Sequence, residues 1–144
     1  MTKYIHYGSK AFDRSKFEKI SNCFIKPRGG LWASRVDSLF GWKQWNDESK
    51  FRKCTRENSF TFSLTPRANA VELFTFEDLQ KLPKLQKDYP IGEYYLIDFE
   101  ECVKQGIGAI ELRDIWKGLY FPLYGWDCEC ILILNPEIVE VSKD

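Results

Sequence analysis

The stretch Ser59–Leu64, S-F-T-F-S-L, alternates polar and apolar residues with a period of two. That period fits a strand and not a helix: Phe60, Phe62 and Leu64 fall on one face, the polar residues on the other. One face of this strand must be buried. A second run, C-I-L-I-L at 130–134, is apolar without alternation, so both of its faces are expected to be covered. A chain with one half-buried and one doubly buried strand needs a layered architecture with a sheet at its centre.

The rest of the chain supplies short elements for such layers. Strands are expected over 3–7, 30–34, 70–75, 109–112 and 138–141. Residues 76–85 space Phe76, Leu79, Leu82 and Leu85 at helical intervals, with Pro83 near the end. A second helix is expected over 97–105, opened by Asp98 and stopped by Gly106 and Gly108. Ser34 or Asp37 is expected to start a third, with Phe40-Gly41-Trp42 as its turn. A turn is expected over 88–92. Many short strands with few helices indicate an α+β fold. A length of 144 residues gives a single domain, 1–144, able to bury roughly two-thirds of its unfolded surface.

Charge and cysteine usage narrow the classes. Acidic and basic residues balance at 21 each, so no global field draws the chain to nucleic acid or a membrane. No apolar run is long enough to span a bilayer. The five cysteines, Cys23, Cys54, Cys102, Cys128 and Cys130, are odd in number and irregularly spaced. With a single histidine they make neither a disulfide framework nor a zinc ligand set, and a reducing cytoplasm is the expected location.

The least generic stretch is K-P-R-G-G-L-W-A-S-R-V-D-S-L-F-G-W-K-Q-W at 26–45. Gly29 and Gly30 permit a tight turn or a close backbone approach. Trp32, Phe40, Trp42 and Trp45 offer flat faces that suit the wall of a pocket for a ring-bearing ligand. Two other places carry polar chemistry. His6, the only histidine, stands at the end of the first strand beside Gly8. Asp127 and Glu129 stand two apart at the mouth of the apolar strand, where alternation would put both on one face.

Taken together, H-Y-G-S at 6–9, G-G-L-W-A-S at 29–34 and the Glu opening E-C-I-L-I-L-N-P at 129–136 resemble the ADP-ribosyltransferase superfamily. The nearest likeness is to its diphtheria-toxin and poly-ADP-ribose-polymerase branch. The resemblance implies a split antiparallel β-sandwich around an NAD cleft, with two to four short helices. It implies NAD as co-substrate, no metal, and transfer of ADP-ribose to a macromolecular acceptor, protein or nucleic acid, by a monomer. Glu129 would be the catalytic carboxylate, with Asp127 as its acidic companion. His6 would bond the adenosine-side ribose. The Gly8 backbone would hold the nicotinamide carboxamide, with Ser9 nearby. Trp32 would stack on nicotinamide, followed on its strand by Ser34, with Gly30 and Trp42 completing the site. Tyr7 is inserted between His6 and Gly8, so either His6 or Tyr7 takes the family's histidine position. The acceptor would meet the aromatic segment 116–124. The alternatives are a catalytically inactive relative that grips a partner with the aromatic cleft, and an enzyme like the RNA 2′-phosphotransferases.

Overall fold

The computed structural model describes residues 1–85 and 94–143. Its seven strands are β1 (Tyr4–Tyr7), β2 (Leu31–Arg35), β3 (Ser59–Leu64), β4 (Ala70–Leu73), β5 (Ala109–Leu112), β6 (Cys130–Ile133) and β7 (Val139–Val141). Its helices are α1 (Trp42–Ser49), α2 (Phe76–Gln80) and α3 (Phe99–Lys104). The fold is α+β, with few helices around a curled, half-barrel sheet ordered β4-β5-β6-β2-β1-β3-β7. The strands thus form one continuous sheet where two were expected. One pair, β4 with β5, is parallel, because the chain returns between them through α2 and α3. The turn expected over 88–92 lies outside the described residues.

The two apolar patterns settle where the core lies. Along β6, Cys130 and Leu132 enter one core cluster and Ile131 and Ile133 enter the other. Burying each Leu or Ile side chain contributes about 1.5–3 kcal/mol, so a strand covered on both faces anchors the sheet. Phe60 and Phe62 of β3 face the second cluster with Tyr4, Ile138 and Val139. The first cluster holds α2 and α3 through Leu79, Phe99 and Cys102, packed around the fully buried Trp126.

Local chemistry explains the helix boundaries. Asp98 caps α3 by accepting from the Glu101 N–H at 3.0 Å, as its position before the helix predicts. The helix expected over 76–85 stops at Gln80, since a residue before Pro83 is driven from helical backbone. Leu82 is buried regardless. The helix expected from Ser34 or Asp37 begins at Trp42, with Gly41 at its cap. Residues 36–41 form turns instead, closed by Ser38 N–H donating to the Arg35 carbonyl at 3.1 Å. Ser34 still serves that helix: its hydroxyl accepts from the Trp42 N–H at 2.9 Å and donates to the Glu129 carbonyl at 3.0 Å.

Candidate functional site

The sheet opens between β1 and β2. β1 and β2 pair through two rungs, Tyr4↔Arg35 and Ile5↔Ser34. Beyond them His6 and Tyr7 pair with β3, while Trp32 and Ala33 pair with β6. The diverging ends leave a wedge. The His6 ring crosses it, with Nδ1 2.6 Å from the Trp32 carbonyl. A carbonyl can only accept, so Nδ1 carries the proton and Nε2 is the bare nitrogen of the neutral ring. Gly8 follows at φ +126°, and a Cβ there would stand 3.4 Å from His6 Nε2. That contact is an ordinary one, and it is the positive φ that calls for glycine.

A cleft of about 760 Å³ fills this opening, within the usual range for small-molecule sites. One wall is His6, Tyr7 and Gly8. The facing wall is tryptophan. Trp32 meets Trp42 edge to face, with centroids 6.3 Å apart, and Trp42 meets Trp45 likewise at 5.8 Å. Trp32 is held from behind by Trp126 at 4.9 Å. Lys26 reaches over the Trp32 and Trp42 rings, its Nζ 5.4 and 5.1 Å from their centroids and 3.4 Å from Asp127 Oδ2. Arg52 and Lys53 line the rim, so three cationic side chains face one carboxylate in a chain that is neutral overall.

The two acidic candidates part company. Asp127 sits at φ +64°, in a tight turn closed by the Cys128 N–H on the Trp126 carbonyl at 2.6 Å. Its carboxylate lines the cleft. The strand begins only at Cys130, so the alternation expected to put Asp127 and Glu129 on one face does not apply. Glu129 lines a separate cavity of about 300 Å³ with Arg35, Ser38, Glu111 and Arg113. Continuing the register from Ala33↔Ile131 brings Glu129 level with Arg35, about 10 Å along β2 from Trp32. Burial, then the Asp114 carboxylate, pushes the Glu129 carboxyl above its ordinary range.

Three other expected site residues lie away from the cleft lining. Ser34 is buried in the backbone bonds described above. Ser9 is half-buried and donates to the Ala11 carbonyl. Gly30, at φ +75°, carries the chain across β6, where a Cβ would stand 2.7 Å from Leu132 Cδ1. Phe40 leaves the tryptophan wall and packs on Trp116 at 5.8 Å. The Gly8 N–H is already committed to the Asn58 carbonyl at 2.9 Å. Sequence reading missed Asn46 and the rim at Phe51, Arg52, Lys53, Cys54 and Asn58. The one signal there was an aromatic residue followed by two cations in a segment of weak periodicity.

His6 gives this site a pH signature. Burial pushes its imidazole below the ordinary value, partly offset by the bond to the Trp32 carbonyl. The unfolded chain therefore takes up this proton more readily than the fold does. The associated stability is present above about pH 6.5 and is lost as pH falls toward the depressed folded value. Melting midpoints measured from pH 7 to 5 should fall less steeply in His6→Gln than in the unsubstituted protein. Equal slopes would place the ring in solvent.

Among the described residues no group of histidine, cysteine or acidic side chains is disposed to hold a metal ion, and no helix is long and apolar enough to cross a membrane. Comparison with protein-family models, with curated proteins and with solved structures finds no match.

Proposed function

We propose that this chain is an NAD-dependent ADP-ribosyltransferase whose nicotinamide end enters the cleft between His6–Gly8 and the tryptophan wall. One observation carries the reading: the sheet opens where the H-Y-G-S and G-G-L-W-A-S segments face each other, with a carboxylate in the opening. The cations at Lys26, Arg52 and Lys53 suit a diphosphate. The tryptophan faces suit a flat ring. The carboxylate in this reading is Asp127, and Glu129 takes no part in the cleft.

The reaction breaks the bond between nicotinamide nitrogen and ribose C1′. The bonding pair goes to the nitrogen and quenches the pyridinium charge. An oxocarbenium-like ribose is left, and Asp127 stabilises its positive charge. An acceptor nucleophile attacks C1′ and loses its proton, or water does so and the outcome is hydrolysis. Trp116, Phe121 and Tyr124 are exposed on the segment between β5 and β6 and offer the acceptor a surface.

The test is nicotinamide release from NAD by purified protein, with NAD binding measured by calorimetry. Release above background is the expected result. Binding without release would make the acceptor a necessary component. Absence of both would overturn the assignment. The reading then favoured is a protein that grips a partner through the exposed aromatic residues.

A further inference from the structure

The Lys26 ammonium occupies a corner of the cleft. Its Nζ stands 5.4 Å from the Trp32 ring centroid, 5.1 Å from that of Trp42 and 3.4 Å from Asp127 Oδ2. The two indole planes meet at 84°, so they form two walls, and the carboxylate completes the set. All of these residues line the cleft, and the Lys26 and Asp127 side chains are 38% and 30% exposed, so the corner is open to solvent. Aromatic faces joined by a carboxylate select cations. Lysine is a poor match to them. Its ammonium is a compact, strongly hydrated charge on a flexible stem, and an indole face offers its N–H groups no strong acceptor. The bond to Asp127 is 3.4 Å long, against about 2.7–2.9 Å for a strong charge-assisted bond. Holding the stem over the rings also costs rotamer freedom. A cation whose charged nitrogen carries no N–H gives up less hydration and lays its carbon surface on both walls.

We propose that the corner of Trp32, Trp42 and Asp127 is a subsite for an organic cation whose charged nitrogen carries no N–H, and that Lys26 is its resident occupant, displaced when such a cation binds. The N-alkylated pyridinium of oxidised NAD is one such group, and a quaternary ammonium is another. The choice of pyridinium rests on the NAD reading above and adds to it a preference for substrate over product. The substrate ring is cationic and takes the place of Lys26, which is then free to meet the diphosphate with Arg52 and Lys53. Nicotinamide released by cleavage is neutral, and Lys26 returns to the rings and to Asp127.

The probes are 1-methylnicotinamide, which is a cation, nicotinamide, which is its neutral counterpart, choline and NAD. The first measurement is on the unsubstituted protein and needs no variant to fold. The Lys26 side-chain methylene resonances, displaced by the ring currents of two indoles, are followed by NMR. Saturation with 1-methylnicotinamide should return them to the position of a free lysine, and nicotinamide should leave them where they are. The second measurement is calorimetric. Lys26→Met keeps a stem of similar length and vacates the corner of charge. Its preference for 1-methylnicotinamide over nicotinamide should exceed that of the unsubstituted protein by about tenfold. Lys53→Met removes an exposed rim cation without touching the corner, and should change that preference by less than about twofold. Lys26 resonances that stay in place while 1-methylnicotinamide binds would overturn the inference. Equal gains in the two variants would do the same, since loss of a positive charge alone would account for them. Failure of both cations to bind would end it. If choline displaces Lys26 and 1-methylnicotinamide does not, the cation subsite stands and its pyridinium assignment falls. If 1-methylnicotinamide displaces Lys26 but NAD does not bind, the subsite stands and the dinucleotide reading falls. If NAD binds with Lys26 unmoved, the NAD reading stands and this inference falls.

Discussion

Asp127→Asn should lower nicotinamide release from NAD by roughly 100–1,000-fold, while Glu129→Gln should leave it within about threefold. Asparagine keeps the shape of the side chain and tolerates the left-handed backbone that Asp127 adopts at φ +64°. What it loses is the charge. A carboxylate about 4 Å from a developing positive ribose, at an effective dielectric near 20, contributes about 4 kcal/mol, or roughly a thousandfold in rate. Lys26 neutralises Asp127 in the free protein at 3.4 Å, so part of that contribution is spent on displacing the ammonium. This lowers the expected effect toward the bottom of the range. Glu129, in its separate cavity, carries no such contribution. Its raised pKa means that folding disfavours the ionised form, a cost that appears as pH rises through the folded value. The glutamine variant should therefore melt at pH 8 no lower than the parent protein. A dead Glu129→Gln beside an active Asp127→Asn would return the catalytic role to Glu129.

Two patterns made the sheet legible: alternation placed β3 to the residue, and an unbroken apolar run placed β6 within one. β5, a short run after Gly108, also matched to the residue. The parallel pairing of β4 with β5 was not readable, since strand direction depends on where the connecting helices lie and not on either strand's composition. The cleft was partly legible. Tryptophans with a glycine turn announced a wall, and His6-x-Gly8 announced the strand end facing it. The separation of Asp127 from Glu129 was hidden, because period-two reasoning assumes extended backbone and Asp127 leaves it for a turn. Asn46 was hidden for another reason. A lone asparagine in a charged helix reads as surface, and only packing shows that it is buried with an unmatched oxygen.

Arg35→Ala should cost about 3–5 kcal/mol of stability and lower the melting midpoint by roughly 10 °C or more. Arg35 grips Glu111 with two bonds, Nε to Oε2 at 2.8 Å and Nη2 to Oε1 at 3.1 Å. Glu111 is 3% exposed and takes a third bond from the Tyr4 hydroxyl at 3.0 Å. Burial, then the Glu111 carboxylate, pushes the Tyr4 phenol up, so it remains a donor. Glu72 bridges Arg35 and Arg113 on the exposed side, at 3.0 and 2.9 Å. That outer bridge is half in solvent and contributes little. The inner pair matters because removing the guanidinium leaves a nearly buried carboxylate without its cation. Replacing both partners, as Arg35→Met with Glu111→Leu, should recover most of the loss, since the penalty belongs to the unmatched charge and not to the absent bond. The position gives the pair a second consequence. Tyr4↔Arg35 is one of the two rungs joining β1 to β2, so the clamp sits at the closed end of the wedge whose open end is the cleft. Loss of the clamp should loosen the angle between those strands. Arg35→Ala should then bind cleft ligands more weakly at temperatures where it is still fully folded, with the double variant nearer the parent protein. A stability loss under about 1 kcal/mol would mean that the pair is solvated like a surface salt bridge, and the hinge role would fall with it.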